Sequence, residues 1–397
     1  MVRTKYLIVG GGLTGDAAIE GIREMDPDGG IVLLGEEPER PYNRPLLSKG
    51  LWLGKPFERV WRSGDRHGVD LVLGRRAVRL DASGKTVVDD RGEEYRYGSL
   101  LLATGGRVRR FAFGAEDVIY FRTLRDYRRL RELADRSQRF TVIGGGFIGS
   151  EIAAALASNG KAVTLVFPQA ALVDRMLPRT LAEYVSFVYQ EKGVVLRPAA
   201  KVLDVRADGG RWMTKVRFPS GSESWLESDG VVAGIGIEPE VELAASAGLE
   251  VDDGIVVDTH LQTSRPGVFA AGDAASAPSR ALGRRRRVEH EDNALTMGKA
   301  AGRNMAGAGE AYTHLPFFYS DLFDLGYEAV GELDSRMETV SDWLDPYRKG
   351  VIYYLAEGKV RGVLLWNVWD RVPAARALIE ANQPMRPDEL IGRITTA

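Results

Sequence analysis

The chain has 397 residues, 44% of them hydrophobic, which is enough to build the cores of two or three domains. Its 53 basic and 55 acidic residues give a net charge of −2, so the overall charge predicts neither a nucleic-acid partner nor a membrane partner. The sequence contains no cysteine, which excludes disulfides, cysteine-bound zinc, thiol nucleophiles and dithiol redox centres within these residues.

The N-terminus, MVRTKYLIVG, runs directly into a predicted strand, without a signal-peptide core or an arginine- and serine-rich transit segment. No stretch approaches the roughly 18 consecutive apolar residues that a membrane span needs. We therefore predict a cytoplasmic protein without a membrane span. The four histidines are too scattered to suggest a cluster of ligands, so no metal is expected.

A first glycine-rich loop follows the apolar run 6–9. It has the pattern Gly10-x-Gly12-x-x-Gly15, opens a helix-like segment, and is followed by Glu36, 21 residues after the last glycine. In a dinucleotide-binding unit such glycines permit a tight turn, close approach of a pyrophosphate and close helix packing, while the acid meets a ribose hydroxyl. The alternative is a glycine-rich turn that binds nothing. Strand, helix and acid in register favour a nucleotide site.

A second loop repeats the pattern in FTVIGGGFIGSEIAAALASNG. Gly144, Gly146 and Gly149 follow the predicted strand 140–143 and open an alanine-rich helix. Two such loops in one chain predict two nucleotides, and the usual pair is FAD with NAD(P)H.

The coenzyme preference depends on the residues after the second loop. The position of the ribose acid, 20 residues after Gly149, is occupied by Gln169. A glutamine cannot repel a 2′-phosphate, and the nearby Arg175 could attract one. NADH is therefore favoured only modestly over NADPH.

Two further segments divide the chain. TSRPGVFAAGD (263–273) is predicted to be a strand ending in Gly272 and Asp273; in flavoproteins with two dinucleotides this segment returns to the FAD domain, and the aspartate meets the ribityl chain. LLLATGG (100–106) supplies the other return strand, with Gly105 and Gly106 leaving the domain. We predict an α/β fold with two Rossmann-like domains and a C-terminal α+β domain. The predicted parts are an FAD domain in two parts, 1–112 and 241–313, an NAD(P)H domain at 113–240, and the C-terminal domain at 314–397.

Two arginine-rich segments have simple interpretations. The predicted helix in 122–139 interleaves arginines with acids, which is typical of a solvated face. The run 284–287 has four consecutive arginines: it is a solvated turn, a phosphate contact or a docking patch for an acidic electron carrier. Nucleic-acid binding is not expected, since one short run supplies few phosphate contacts.

Together these motifs resemble the flavoprotein family that contains apoptosis-inducing factor and the bacterial NADH-dependent ferredoxin and rubredoxin reductases. Its glutathione-reductase-like fold has two Rossmann-like domains. The matching pieces cover essentially the whole chain: GGGLTG, GEEPERPYNRPLLSKGLW, ATGG, FRTL, GGGFIGSE, GIGIEPEVELA, VFAAGDAA, LGRRRRVEHEDNA, FFYSDLFDLGYEAVGELDS and KGVIYYLAEGKVRGVLLWNVWDRVPAARALI. The last four resemble the apoptosis-inducing factor branch more than the ferredoxin reductases. The long targeting region and the C-terminal insertion of the mitochondrial members have no counterpart here.

The resemblance implies roles for individual residues. Glu36 would hold the adenosine ribose of FAD, while Arg44, Lys49 and Arg122 would contact its pyrophosphate or its flavin. Glu151 matches the family's partner for Lys49 beside the isoalloxazine.

A second implied group lies near the nicotinamide and the pyrimidine edge of the flavin: Glu289, His290 and Glu291. Phe318 and Tyr319 match an aromatic pair beside the flavin whose second member is usually tryptophan. The other implied cofactor contacts are in the glycine loops and the segments that follow strands: Gly10, Gly12, Leu13, Thr14, Gly15, Glu37, Ala103, Thr104, Gly105, Gly144, Gly146, Phe147, Ile148, Gly149, Gln169, Arg175, Gly234, Gly236, Gly272 and Asp273.

Lys49, Glu151 and His290 are the predicted catalytic residues. A loop lysine is commonly solvated, but the prolines around Lys49 stiffen its loop, and Glu151 falls in the first turn of a helix that faces a nucleotide. The pair is predicted to hydrogen-bond flavin N5. For His290 the alternatives are an ordinary structural histidine or a cofactor contact; since hydride transfer needs no side-chain base, holding the flavin is favoured over proton transfer. The histidines at 67, 260 and 314 are interpreted as structural, and Trp366 and Trp369 as core or interface residues.

The predicted function is an FAD-dependent NAD(P)H oxidoreductase that is not a disulfide reductase. Three acceptor hypotheses stay open: a ferredoxin or rubredoxin; a quinone or other small oxidant; or no fast acceptor, in a slow redox sensor with a long-lived charge-transfer complex. The resemblance also allows a homodimer that forms on reduction.

Overall fold

The structure, a computed structural model, describes residues 1–62, 68–113 and 115–395. His67, interpreted above as structural, lies outside the described residues. The chain divides into two compact units. The first comprises 1–43, 58–107 and 238–318, and the second comprises 44–57, 108–237 and 319–395.

The strands, in chain order, are β1 (Val2–Val9), β2 (Ile31–Gly35), β3 (Val69–Leu73), β4 (Ala77–Asp81), β5 (Thr86–Asp89), β6 (Glu94–Leu102), β7 (Gly106–Val108), β8 (Ile119–Tyr120), β9 (Arg139–Ile143), β10 (Ala162–Val166), β11 (Val195–Arg197), β12 (Lys201–Asp208), β13 (Arg211–Arg217), β14 (Glu223–Ser228), β15 (Gly230–Ala233), β16 (Ile237–Pro239), β17 (Val251–Asp252), β18 (Gly254–Val256), β19 (Val268–Ala270), β20 (Ala275–Ser279), β21 (Arg284–Arg287), β22 (Phe317–Leu322), β23 (Leu325–Gly331), β24 (Glu338–Asp345), β25 (Lys349–Ala356) and β26 (Lys359–Trp366).

The α-helices are α1 (Leu13–Met25), α2 (Leu124–Arg136), α3 (Phe147–Ser158), α4 (Arg179–Glu191), α5 (Glu242–Ser246), α6 (Glu291–Met305), α7 (Val372–Glu380) and α8 (Pro387–Leu390). Short 3₁₀ turns occupy Arg44–Leu47, Gly50–Leu53, Phe57–Val60 and Gly272–Ala274. None of the helices in the described ranges is both long and apolar enough to span a bilayer.

The first unit is built on a sheet in the order β3-β2-β1-β6-β5-β4, with β19 also paired to β6. The strands β3, β2, β1, β6 and β19 run parallel, whereas β4 and β5 form an antiparallel extension. Continuous apolar runs such as Ile31–Gly35 are fully buried because helices cover parallel sheets. A smaller sheet, β17-β18-β20-β21, belongs to the same unit.

Helices α1 and α6 pack together at glycines. A Cβ at Gly21 would stand 2.0 Å from the carbonyl oxygen of Lys299, and one at Gly302 would stand 2.1 Å from that of Ala18. The two helix backbones are therefore in direct contact, and α6 holds the helix that opens at the first glycine loop.

The second unit contains a parallel sheet in the order β11-β10-β9-β15-β8 and a three-stranded antiparallel sheet, β12-β13-β14. Its C-terminal part is a five-stranded sheet, β22-β23-β26-β25-β24, against which α7 packs. The α/β fold with a C-terminal α+β part is thereby confirmed.

The two arginine-rich segments differ in how well the sequence predicted their secondary structure. The helix predicted in 122–139 runs over Leu124–Arg136, because Thr123 and Asp126 form a capping box at its start. The arginine run 284–287 is strand β21 rather than a turn. In that strand Arg285 donates to the carbonyl oxygens of Val257 and Ser276.

Candidate active site

The outer glycines of the first loop are required by the protein backbone. Gly10 has φ of +127°, and a Cβ there would stand 2.0 Å from the carbonyl oxygen of Ala103. At Gly15 it would stand 2.1 Å from the carbonyl oxygen of Gly10. A Cβ at Gly12, in contrast, would meet no other heavy atom within 4 Å among the described residues, apart from those of its neighbours in the chain. The open space at the middle glycine is where a close ligand fits.

The second loop repeats this arrangement in the second unit. A Cβ at Gly144 would stand 2.3 Å from the carbonyl oxygen of Gly234, and one at Gly149 would stand 1.8 Å from that of Gly144. Gly146 again faces open space within 4 Å among the described residues. Both loops thus keep a middle glycine that protein packing does not explain.

The helices after these loops begin without side-chain caps. The N-cap residues of α1 and α3 are Gly12 and Gly146, and neither supplies a capping side chain. By contrast, the N-cap residue of α2, Thr123, accepts from the N–H of Asp126 through its side chain. The N–H groups of the first turns of α1 and α3 therefore suit an anion, which fits the pyrophosphate of a dinucleotide at each loop.

A cavity of about 350 Å³ opens beside the first loop, inside the first unit. Its walls combine the predicted residues Gly10, Glu36 and Thr104 with residues that the sequence reasoning missed. The missed residues are Val9, Leu34, Arg75, Arg76, Ala77, Val78, Glu240, Glu242, Leu243 and Ser246. Arg75 and Arg76 follow the parallel strand β3 after Gly74, and this position at the carboxyl edge of the sheet was the signal that could have found them.

Arg75 is held by a buried carboxylate. Its Nη1 lies 2.6 Å from Asp89 Oδ2, and Asp89 is only 1% exposed. Burial opposes ionisation of this carboxyl, but the N–H groups of Glu93 and Arg91 outweigh it and lower the pKa of Asp89. The arginine therefore has a fixed counter-ion and a fixed position at the cavity.

The segment 103–105, which follows β6, is fixed by backbone and side-chain hydrogen bonds beside the cavity. Ala103 N donates to the carbonyl oxygen of Val9, and Thr104 Oγ1 donates to the carbonyl oxygen of Glu240 at 2.6 Å. Gly105 accepts from the N–H of Glu240. Burial, and then the neighbouring Glu242 carboxylate, raises the pKa of Glu240.

The predicted Gly-Asp segment meets the start of α1. A Cβ at Gly272 would stand 2.2 Å from Thr14 Oγ1, so the segment passes directly over the first turn of that helix. Leu13 is buried in the same turn. The carbonyl oxygen of Asp273 accepts from Arg287 Nη1.

Glu37 follows Glu36 after β2 and accepts from the hydroxyl of Tyr42 at 2.6 Å.

The VEHED segment forms the N-terminus of α6. His290 is its N-cap residue, and its ring stacks on Phe318 with centroids 4.1 Å apart and planes within 9°. Glu291 lies in the first helical turn, where a negative charge is favourable, and Glu289 is ion-paired with Arg287. The stacking fixes the imidazole plane. Of the other histidines, His314 contacts Asp292 at 2.6 Å and His260 lies exposed beside Asp258.

In the second unit, Gln169 follows β10 at the predicted ribose position. Its Oε1 is buried and has no hydrogen-bond partner within the described ranges. A buried acceptor in this position fits a donor from a bound nucleotide, such as a ribose hydroxyl. Arg175 is exposed nearby in sequence, and Phe147 and Ile148 begin α3, with Ile148 38% exposed. The predicted glycine Gly236 follows β15 with φ of +98°.

Arg44 and Arg122 also come together in this unit. Arg44 Nη1 donates to the carbonyl oxygen of Arg122 at 3.2 Å, and Arg122 N donates to Asp126. The two guanidinium-bearing residues predicted to contact FAD are thus neighbours.

The same unit brings Lys49 and Glu151 together. Lys49 Nζ lies 2.8 Å from Glu151 Oε1, and the side chains are 12% and 3% exposed. Ser48 donates to Glu151 Oε2 and Ser320 to Oε1, both at 2.6 Å. The lysine also stands 5.0 Å from the ring centroid of Tyr319. Three donors therefore hold one buried carboxylate; neither serine was predicted, although Ser48 is the neighbour of Lys49 in sequence.

The charge of this carboxylate affects nearby groups. Burial, and then Glu151, raises the pKa of the fully buried Tyr189 and Tyr327 far above the ordinary value. Burial also raises the pKa of Asp321, with Lys49 opposing the shift. The pocket around the pair therefore disfavours additional negative charge on the side chains that line it.

Known families match this chain along most of its length. Residues 4–298 match the family described as pyridine nucleotide-disulphide oxidoreductase. The chain belongs to the pyridine nucleotide-disulphide oxidoreductase family. Residues 301–346 and 342–381 match the C-terminal region of the mitochondrion-associated apoptosis-inducing factor.

Relatives of this oxidoreductase family cover nearly the whole chain. The chain is 35% identical to the ferredoxin–NAD(+) reductase component of an anthranilate 1,2-dioxygenase system from Burkholderia cepacia, over 97% of this chain and 96% of that protein. It is 33% identical to the mitochondrial apoptosis-inducing factor 1 of Dictyostelium discoideum, over 94% and 78%. The crystal structure of a ferredoxin reductase for the CYP199A2 system from Rhodopseudomonas palustris has a TM-score of 0.88 at 29% identity, over 97% and 96%.

The chain is thus an oxidoreductase of the two-dinucleotide type, and its relatives imply FAD and NAD(P)H as cofactors. The glycine loops and their uncapped helices fit both nucleotides. The disulphide part of the family description has no counterpart here, because the 397 residues include no cysteine.

Proposed function

We propose that this oxidoreductase passes electrons from NAD(P)H, through FAD, to a ferredoxin. The observation that carries the proposal is the clamped Lys49–Glu151 pair, which occupies a buried, pre-positioned site in a chain without a dithiol. The relatives named as ferredoxin reductases support the choice of acceptor. We further propose the domain division 1–112 with 241–313 for FAD, 113–240 for NAD(P)H and 314–397 as the C-terminal domain.

The residues of the first unit would bind FAD. The first loop and the N-terminus of α1 suit its pyrophosphate, and Glu36 and Arg75 line the cavity that suits its adenosine. His290, stacked on Phe318, would hold its ring in place rather than move a proton.

The residues of the second unit would bind NAD(P)H and orient the flavin. The second loop suits the pyrophosphate of the coenzyme, and Gln169 offers an acceptor for its ribose. Lys49 donates hydrogen bonds only, and Glu151 fixes its ammonium group, so the lysine would present a donor to flavin N5. When bound, FAD supplies the hydride acceptor and the store from which electrons leave for an external carrier. The protein contributes orientation and fixed charge.

Reoxidation kinetics test the acceptor. The protein is reduced anaerobically with NADH and mixed in a stopped-flow instrument with air-saturated buffer, with a [2Fe–2S] ferredoxin, or with a benzoquinone. We expect slow reoxidation in air and fast reoxidation by ferredoxin. A reduced-flavin absorbance that persists equally with and without ferredoxin would overturn the proposal.

A second candidate is favoured by a separate observation, the match of residues 301–381 to the apoptosis-inducing factor C-terminal region. In that case a quinone or another small oxidant is the acceptor, or the long-lived charge-transfer complex is itself the signal. Fast reoxidation by benzoquinone alone indicates the first form. A long-wavelength band that outlasts every carrier, with a shift to a dimer on sizing in NADH, indicates the second.

We also propose that NADH is preferred modestly over NADPH. Replacing Gln169 with glutamate is expected to increase the ratio of kcat/KM for NADH to that for NADPH by at least about tenfold, because a carboxylate repels a 2′-phosphate. Steady-state rates with both coenzymes measure this ratio. Gln190→Glu, at an exposed position on α4, is the matched control. Better use of NADPH by the unmodified protein would contradict the preference.

A further inference from the structure

A row of aromatic side chains in the second unit leads away from the Lys49–Glu151 pair. Tyr327 on β23 and Trp366 on β26 are directly paired across the antiparallel ladder, so they point to the same face of the sheet. Their rings stack with centroids 5.8 Å apart and planes within 10°, and both residues are fully buried. This contact joins two oxidisable rings in the protein interior.

The inner end of the row adjoins the carboxylate of Glu151. Ser320 donates to Glu151 at 2.6 Å, and its hydroxyl group also lies beside that of Tyr327. Burial, and then Glu151, raises the pKa of Tyr327 well above its ordinary value, so the phenol remains protonated. The Ser320 hydroxyl therefore lies between a buried phenol and a buried carboxylate.

The outer end of the row approaches the surface. Trp366 Nε1 donates to the carbonyl oxygen of Tyr347 at 2.8 Å. The Tyr347 ring stacks on Tyr184 at 5.5 Å and lies 5.6 Å from Trp343. These three outer residues are half-buried, whereas Tyr327 and Trp366 are not accessible to solvent.

Tyr347 occupies a conformation that its type rarely adopts. It follows Pro346 in the turn between β24 and β25 and has φ of +60°, where a glycine or an asparagine is expected. The ring of Tyr347 is held by stacking on Tyr184, and its backbone carbonyl oxygen is held by the hydrogen bond from Trp366 Nε1.

We propose that Tyr327, Trp366, Tyr347 and Tyr184 form a relay that carries oxidising equivalents from the flavin pocket to the protein surface. The proposal rests on the proposed function, because it needs FAD bound beside the Lys49–Glu151 pair. In a chain without cysteine, tyrosine and tryptophan are the side chains that most readily give up one electron. A reduced flavin that reacts even slowly with oxygen forms the oxidants against which such a relay protects.

Each oxidation in the relay is matched by a reduction, and each proton that is released has an acceptor. A one-electron oxidant formed in the pocket, such as a peroxide-derived radical, takes an electron from Tyr327, and the phenolic proton passes through Ser320 to Glu151. Trp366 then returns an electron to Tyr327, which recovers its proton from Glu151. Tyr347 or Tyr184 re-reduces Trp366 and releases its own proton to solvent. An external one-electron reductant of the ascorbate class refills the outer tyrosine.

Flash photolysis of the FAD-loaded protein tests the relay, with the photoexcited flavin as the one-electron oxidant. All measurements use a Tyr319→Phe background, so that the ring beside Lys49 cannot supply the electron. We expect tyrosyl and tryptophanyl radicals in transient absorption and in electron paramagnetic resonance, and decay accelerated by ascorbate. Tyr327→Phe is expected to lower the radical yield at least about tenfold. Trp366→Phe is expected to retain a tyrosyl radical whose decay ascorbate no longer accelerates.

Tyr353→Phe is the matched control. Tyr353 is equally buried in the same sheet, but it pairs with Val363 and so points to the face opposite Trp366, where its hydroxyl accepts from Ile394 N. A radical yield that is equal in Tyr327→Phe and its background, or that falls equally in Tyr353→Phe, would overturn the relay. FAD content and anaerobic reduction by NADH are measured on the same samples. If these are normal and no radical depends on Tyr327, only the relay fails; if FAD does not bind, the proposed function fails with it.

Discussion

Replacing Lys49 with alanine is expected to leave FAD bound but to slow its reduction by NADH by about 100-fold, the usual loss when one positioned donor is removed from a reacting centre. Lys49 is the donor that Glu151 holds in place, and the serines at 48 and 320 cannot substitute for its charge. The visible absorption of the flavin should shift as well, since a fixed cation beside the ring is lost. Anaerobic stopped-flow reduction and the absorption spectrum measure the two effects.

Lys55→Ala is the matched control, because Lys55 lies exposed in the same segment of the chain. We expect it to reproduce the wild-type rate and spectrum. Glu151→Gln should fall between the two, since it keeps the size of the side chain and one acceptor oxygen for a serine but removes the counter-ion of Lys49. An unchanged rate and spectrum in Lys49→Ala would make this lysine an ordinary structural residue.

Substitutions at the two middle glycines are expected to affect the two nucleotides separately. Gly12→Val should purify without FAD, because the valine would fill the open space left for a pyrophosphate at the first loop. Gly146→Val should retain FAD and its spectrum, while the KM for NADH rises by about 100-fold, equivalent to about 2.7 kcal/mol of binding free energy. Flavin content after purification and steady-state kinetics give the two readouts.

Each valine variant is the control for the other. A further comparison is Gly149→Ala, whose Cβ would stand 1.8 Å from the carbonyl oxygen of Gly144. This smaller substitution should lower the melting temperature, whereas Gly146→Val should not, because only the outer glycine is packed against protein backbone. Loss of FAD in Gly146→Val, or its retention in Gly12→Val, would contradict the assignment of the two loops.

The sequence predicted the parts of the fold that local patterns encode. The two glycine loops, with a strand before each and a helix after, have the spacing typical of dinucleotide-binding units, and in both the middle glycine is the N-cap residue of the helix. The C-terminal strands alternate or run apolar in recognisable lengths. By contrast, four adjacent arginines gave no sign of strand β21, because its pairing with β20 depends on backbone partners that a charge pattern does not reveal.

Contacts in the candidate site between residues far apart in the sequence were predictable only from the family resemblance. Lys49 and Glu151 are 102 positions apart, and nothing in either segment alone indicates their 2.8 Å contact. Ser320 was missed for the same reason, since a serine in a strand carries no local signal of its acceptor. Arg75 and Arg76 line the cavity without a sequence signal of their own, because the spacing after the first loop indicates only the ribose acid. Roles in binding and catalysis for the predicted residues stay predictions.

The glycine contacts between α1 and α6 have a consequence for how the protein is made. Helix α1 is synthesised well before its partner surface around Gly298 and Gly302, which is translated more than 270 residues later. Until then the nascent first unit exposes apolar surface that no local element can cover, and such high-contact-order folding is slow and prone to aggregation. The contact that completes the unit that would carry FAD therefore forms only after α6 has been synthesised.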